Sequence, residues 1–255
     1  MAKIFCFIPA FGKMISSATF ETSHHLAMAL ISKGHAFNVG TYSWPDIEQM
    51  RNMALSYWYD LMPDSEYLLF VDSDMGFSPQ VVLDMLAFGE PIVGAVYPKR
   101  GYPIEWAASG LDPKEREVRG EFYEVEGLGA GCLLIRRDAV AEMIDAFPDL
   151  IGNYMSLNDM REAGATRTLR FFDKIQTDKG PVSEDISFCR RWRSIGGKVW
   201  GACGHDITHV GQHAFTAGFL SHNAAMEERN KSEAQRSAPT SLRKHVLGDN
   251  DQSAA

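Results

Sequence analysis

The stretch Tyr67–Pro79, YLLFVDSDMGFSP, sets five consecutive apolar or aromatic residues in front of two acids, Asp72 and Asp74. The first part reads as a buried strand, and a carboxylate at the end of such a strand is costly unless it is paired or bound to a metal. A fold that accepts this stretch must bring the strand's tip to an edge where positive charge waits. The flanking pattern narrows the choice. KIFCFIPAF is a first strand closing near Ala10, SSATFETSHHLAMALISKG a capped helix ended by Gly34, HAFNVGTY a second strand and DIEQMRNMALSYWYDLM a second helix. After the acids, SPQVVLDMLAFG begins with Ser78 as N-cap and Pro79 at the first helical position, and PIVGAVYP is another short strand. Strands alternating with helices in this way predict an α/β fold, a mostly parallel central sheet covered by helices.

The second half differs. EFYEVEGLGAGCLLIRRDAVAEMIDAF reads as strand, glycine turn, strand and helix, and residues 148–180 as a long polar loop. SEDISFCRRWRSIGG is a helix closed by two glycines, and KVWGACGHDITHVGQHAF is strand and loop. From about Ala225 the chain turns polar, which predicts a peripheral helix and a disordered end over 225–255, leaving 1–224 as one domain. The four cysteines carry no CxxC spacing, which suits free thiols in a reducing compartment. The apolar stretch at the N-terminus is short and reads as a strand rather than a secretion signal, so the expected location is cytoplasmic.

A formal net charge of −8 gives no general attraction to nucleic acid or anionic membrane. The segment from Arg161 to Lys198 departs from that balance, with nine Lys or Arg against five acids. It reads either as solvated surface or as a site for an anionic ligand.

In a strand, Asp72 and Asp74 would share one face, with Ser73 opposite, at a separation of about 6.6 Å from the rise per residue. That spacing suggests a division of labour: one acid on a hard cation, Mn²⁺ or Mg²⁺, the other on a sugar or ribose hydroxyl. Asp-Ser-Asp before Met-Gly is also good turn chemistry. Glu184 and Asp185 follow Ser183 at a helix start, the position of ordinary capping acids and equally of a general base held ionised by the helix dipole. His205 and His209 lie among β-branched residues and glycines, so a strand or loop is expected there, with one histidine as a late metal ligand. The glycines of EGLGAGCLLI lead into a strand, which excludes a dinucleotide loop and leaves a backbone that something approaches closely.

The ordered set IPAF, RNMAL, LLFVDSDMGFSP, PIVGAVYPKR, GLGAGCLLIRRDAV, SEDISFCRRWRSIGGKVW and HVG, spanning about Lys3 to Phe215, resembles GT-A-type glycosyltransferases, particularly the compact soluble ones of bacteria and their phages. The resemblance implies a nucleotide-sugar-binding half over 1–100 and an acceptor half over 101–224. It implies that Pro9 and Phe11 line the nucleotide pocket, with Arg51 and Asn52 near the base or diphosphate. Asp74 would contact the metal directly and Asp72 the ribose, sugar or metal, with Ser73 beside them. Gly129, Ala130 and Gly131 would sit against the donor sugar or acceptor. Asp185 would be the catalytic base, with Glu184 orienting it or binding the acceptor. His209 would complete the metal site, His205 and His213 being further candidates. The implied reaction is an inverting, Mn²⁺- or Mg²⁺-dependent transfer from a nucleoside-diphosphate sugar to a hydroxyl acceptor. UDP is the expected nucleotide, although Asp46 and Glu48 stand displaced from where many relatives carry base-contacting acids. The acceptor would be a saccharide or glycoconjugate, or hydroxylated bases of DNA. A non-catalytic nucleotide-sugar-binding protein is a second reading. A haloacid-dehalogenase phosphatase is a third, disfavoured because a full β-α-β-α unit precedes Asp72.

Overall fold

A computed structural model describes residues 1–110, 112, 114, 116–152, 164–211 and 214–237, with the side chains of 234–237 excepted. The loop expected over 148–180 lies partly outside these residues, as do His213 and the end of the expected tail. Met1–Phe219 forms one compact unit and Leu220–Ala255 a second. The helix Phe219–Ser237, all but its first residue in the second unit, runs through the polar stretch.

The first unit is built on the expected alternation. Strands β1 (Lys3–Pro9), β2 (Ala36–Tyr42), β3 (Tyr67–Val71) and β5 (Ile92–Ala95) alternate with helices α1 (Ser17–Ser32), α2 (Ile47–Leu61) and α3 (Gln80–Phe88). A two-residue strand β4 (Met75–Gly76) lies between β3 and α3. Then come β6 (Val118–Arg119), β7 (Phe122–Val125), β8 (Cys132–Arg136), α4 (Arg137–Ala146), α5 (Glu184–Ser194), β9 (Val199–Ala202), β10 (Asp206–Val210) and β11 (Ala214–Gly218).

The main sheet has eight strands in the order β2-β1-β3-β8-β5-β9-β7-β6. β1 pairs in parallel with β2 and β3, and β9 with β5; β8 runs antiparallel to both its neighbours, and β7 to β9 and β6. Only β8 and β7 therefore run against the rest, so the α/β, mostly parallel expectation is met.

Alternation along the strands sends their side chains to two helical layers. Ile4, Cys6, Ile8, Leu69 and Val71 join Leu26 and Leu30 of α1 and Val81, Val82 and Met85 of α3 in one core. On the other face Phe5 and Phe7 meet Tyr57 and Phe70, and Phe70 continues into Phe172, which stacks on Phe188 of α5 at 4.5 Å. Burial of this kind stabilises by about 1.5–3 kcal/mol per large side chain.

Helix starts follow local chemistry. The Ser16 hydroxyl accepts from Thr19 N, and Asp46 accepts from Glu48 N and Gln49 N at the head of α2. Asp46 is thus spent as a cap, while Glu48 pairs with Lys174 at 3.6 Å. Ser78 accepts from Gln80 N at 3.3 Å, but α3 begins one residue later than expected, with Pro79 rather than Ser78 at its N-cap.

A second small sheet, β11-β10-β4, positions the site. β10 pairs antiparallel with β4 in the register Thr208↔Gly76 and His209↔Met75, and Val210 N donates to Asp74 O at 2.7 Å. This pairing brings a residue from far down the chain beside the acid loop.

Candidate functional site

β3 ends at Val71, so Asp72 and Asp74 do not continue it as strand residues with a shared face. Met75 N bonds back to Asp72 O at 3.2 Å, closing a turn over Asp72–Met75, the alternative that Asp-Ser-Asp-Met chemistry allows. Three neighbours hold this turn. Asp72 N donates to Gly131 O (3.0 Å), Ser16 N to Ser73 O (2.7 Å), and the buried Thr19 hydroxyl both accepts from Met75 N and donates to Met75 O, each at 2.9 Å. The acids thus stand at the carboxyl ends of β1 and β3, where ligands collect in open α/β sheets.

Each acid has a cation. Arg51, only 2% exposed, donates from Nη2 to Asp72 Oδ1 at 2.8 Å, from Nε to Glu184 Oε1 at 3.4 Å and from Nη1 to Ala130 O at 3.4 Å. Its guanidinium lies 5.2 Å from the centre of the Phe70 ring. Burial works against the charged form, but Asp72, Glu184 and Asp185 outweigh it and raise the Arg51 pKa further. Arg51 is therefore a buried bridge between the acid turn and the start of α5. Asn52 is buried beside it, its amide donating to Asp173 Oδ1 and accepting from Phe172 N, both at 2.8 Å. Asn52 is committed to the fold of that loop.

Asp74 faces two groups: Arg100 Nη1 lies 3.1 Å from Oδ2 and His209 Nε2 3.4 Å from the same oxygen. His209 Nδ1 sits 3.0 Å from Pro98 O. A carbonyl can only accept, so Nδ1 donates to it, and the ring is held with Nε2 turned toward Asp74. The ring meets Tyr97 edge to face at 5.4 Å. His205 lies apart from this pair, its Nε2 3.1 Å from Asp84 on α3. The β10–β4 register decides this: His209, not His205, is opposite Met75.

The glycines of Gly129–Gly131 are explained by Tyr97. A Cβ on Gly131 would lie 2.8 Å from Tyr97 Cζ, and one on Gly129 would overlap the Tyr97 hydroxyl. Gly131 N donates to that hydroxyl at 3.1 Å. What approaches this backbone closely is the protein's own tyrosine, while Ala130 O and Gly131 O hold Arg51 and Asp72.

Glu184 is tied to Arg51, whereas Asp185 accepts from the Ser183 hydroxyl and from Ile186 N (2.7 Å). Ser183 makes no side-chain cap to α5, its hydroxyl being turned to Asp185 instead. Asp185 stands in the first turn of α5, partly buried, and its charge acts on both Arg51 and Tyr97; the Tyr97 pKa is pushed well up by burial first, then by Asp72 and Asp185.

A cavity of about 360 Å³ opens on this turn. Its lining combines charged and polar residues, Asp72, Ser73, Asp74, Arg100 and His209, with apolar and aromatic ones, Pro9, Phe11, Trp44 and Met50 among them. Phe11 is 68% exposed, a large apolar surface at the mouth. Of the residues expected to form the site, Pro9, Phe11, Asp72, Ser73, Asp74 and His209 line this cavity, and Arg51, Glu184, Ala130 and Gly131 lie behind it. Trp44, Tyr97 and Arg100 were missed. Arg100 had a signal, a cation directly after an apolar strand whose end falls at the same sheet edge.

Among the described residues no group of three or more His, Cys, Asp and Glu gathers as a metal site. Asp74 Oδ2 and His209 Nε2 nonetheless fit one ion between them. Their 3.4 Å separation is near the roughly 3 Å between adjacent donors of a small octahedral cation, and such ions commonly take one or two protein ligands and complete their shell from substrate phosphates.

Much of the positive charge between Arg161 and Lys198 is answered internally. Arg167 forks onto Asp60, Arg170 pairs with Asp173, Lys174 with Glu48 and Lys198 with Glu117 and Glu124, while Arg191 donates to Phe171 O and Asp173 O.

No protein-family model matches the chain, and no curated protein sequence matches it either. Solved structures similar to it include A197 from STIV (TM-score 0.49, 16% identity, 86% of this chain and 90% of that chain). A glycosyltransferase involved in glycosylation of the major capsid of PBCV-1 is another (0.34, 11%, 57% and 67%). So is a Drosophila β1,4-galactosyltransferase 7 variant in complex with manganese, UDP-Gal and xylobiose (0.35, 14%, 66% and 71%). Similarity of this degree assigns no chemistry to the chain; the geometry of its own site has to.

Proposed function

We propose that this protein is a metal-dependent inverting glycosyltransferase that moves a sugar from a nucleoside-diphosphate donor, UDP-linked, to a hydroxyl of a saccharide or glycoconjugate. The observation that carries this reading is the pair Asp74 Oδ2 and His209 Nε2, 3.4 Å apart in a cavity that Phe11 and Trp44 also line. A lining that joins charged groups to aromatic faces suits a ligand that carries both a diphosphate and a base.

The residues divide the work. Phe11 and Trp44 offer the faces on which a base would lie, and Asp72, steadied by Arg51, offers a carboxylate oxygen to a ribose or sugar hydroxyl. Asp74 and His209 would hold Mn²⁺ or Mg²⁺, which supplies neutralisation of the charge gathering on the departing diphosphate. Asp185 takes the proton of the acceptor hydroxyl; the acceptor oxygen then bonds to the anomeric carbon as its bond to the phosphate oxygen breaks, and the electron pair leaves with the nucleoside diphosphate. Between the two acids at the start of α5, Asp185 suits the base because Glu184 is held by Arg51. Asp185→Asn tests it: donor binding stays within about twofold while transfer falls by about 10²–10⁴-fold, the usual contribution of a positioned base. A near-normal rate moves the base to another residue.

The internal pairing of Arg167, Arg170, Lys174 and Lys198 leaves the polyanionic acceptor without a specific observation in its favour. The reading therefore stays with a neutral saccharide or glycoconjugate.

A further inference from the structure

Arg100 stands where no cation is needed if Asp74 and His209 are metal ligands. Its guanidinium is 3.1 Å from the same carboxylate oxygen that faces His209, and both groups border the same cavity. A guanidinium and a divalent ion cannot share that oxygen at contact distance without strong repulsion. The side chain is nevertheless free to leave, since 53% of it is exposed, against 3% for Arg51. It projects from a short loop held at its base, with the Tyr102 ring against Phe215 near the tip at 5.2 Å between centres. Pro98 bridges Trp106, Lys99 N donates to Glu105 O at 2.7 Å and Lys99 Nζ pairs with Glu105 at 3.2 Å, while a Cβ on Gly101 would meet no heavy atom within 4 Å. The two arginines of the site are thus built for different tasks, one locked between carboxylates and one resting on a single carboxylate at the rim.

We propose that Arg100 is a displaceable counter-ion: it neutralises Asp74 while no divalent ion is present, and swings to the donor's diphosphate when the ion takes its place. This rests on the glycosyltransferase reading and adds to it a coupling between the two ligands. Arg100 competes with the ion for Asp74, and once displaced adds a planar donor fork to the phosphates. Metal alone therefore binds weakly, and metal with nucleotide binds well, so that neither occupies the site for long without the other.

The test titrates the full chain with MnCl₂, following the paramagnetic resonance signal of free Mn²⁺, and then titrates UDP by calorimetry at saturating Mn²⁺. Arg100→Gln is expected to tighten Mn²⁺ alone by about two- to fivefold, the range of a partly exposed ion pair, and to loosen UDP by about tenfold or more. Arg100→Lys keeps the competing charge and loses the fork, so Mn²⁺ affinity stays near that of the wild type while UDP weakens. An Arg100→Gln chain that binds Mn²⁺ no better than the wild type, or UDP equally well, overturns the role given to Arg100. A wild-type chain that takes up neither Mn²⁺ nor UDP is a different result and overturns the functional reading itself. Unfolding of both variants at the wild-type temperature in metal-free buffer separates these outcomes from misfolding, and Arg100→Lys carries the test if Arg100→Gln fails that control.

Discussion

A guanidinium cut off from water needs its charge answered nearby, and Arg51 has it answered by Asp72 on one side and Glu184 on the other. Replacing Arg51 by Met would leave those two partly buried carboxylates with no cation between them. Breaking a fully buried pair by removing one partner costs about 3–5 kcal/mol. Arg51→Met is therefore expected to lower stability by less than that, about 1–3 kcal/mol in urea denaturation, and Arg51→Met with Glu184→Gln to recover part of it. A single variant as stable as the wild type would mean that the bridge carries little. The residue scale is also where the sequence misled most. The RN pair before the acid strand is visible in the chain, but whether its arginine faces a ligand or the interior depends on where Glu184 arrives, 133 residues later. The acids were legible as a charged strand tip. Their turn was legible only as an alternative, because what holds it is the Thr19 hydroxyl, from a helix whose sequence shows only a capped start.

The elements were easier to read, for a physical reason: each begins and ends on local chemistry. Gly34 with φ 82 and Gly89 with φ 75 close α1 and α3, and Asp46 opens α2 with its own carboxylate. What the elements do to one another was less visible. The C-terminus of α2 is closed by a residue from another helix, Arg137, whose guanidinium donates to Trp58 O, Tyr59 O, Met62 O and Ser65 O at 2.7–3.0 Å and packs 4.5 Å from the Trp58 ring centre. Orphan carbonyls at a helix end want such a donor. Arg137→Met keeps much of the stem's packing and removes all four bonds, so a loss of about 3 kcal/mol is expected, hydrogen bonds to charged groups being worth about 1.5–3 kcal/mol each before water re-solvates the carbonyls. Urea denaturation reads this directly, and a loss under 1 kcal/mol would assign the capping to water. The pairing of β10 with β4 belongs to the same scale. Two-residue strands have no period to detect, so nothing in MG at 75–76 announced the partner that delivers His209.

The whole molecule follows from the alternation of strands and helices, and its main sheet puts the acid turn, the first strand's end and the Tyr97 loop on one edge. The reversed strand β8 has a consequence for the site: because it runs against β3, its start lies beside Asp72, and the Gly129–Gly131 turn is delivered to the acids. The cysteines report on the same packing. All four are buried and unpaired; burial first of all pushes the thiols of Cys132, Cys189 and Cys203 up to about 12, and raises Cys6 as well. Thiolate is the reactive form, so at neutral pH the native chain is expected to resist alkylation and the denatured chain to take four equivalents. A cysteine labelled at the native state's full rate would place an opening at that position. The metal site is the claim on which the function depends, and calorimetry of nucleotide sugars with and without Mn²⁺ tests it most directly. A UDP-sugar is expected to bind the wild-type chain only with the ion present, and that gain to disappear in Asp74→Asn and in His209→Gln. Equal binding in chelator, or an undiminished Mn²⁺ effect in both variants, would contradict the account.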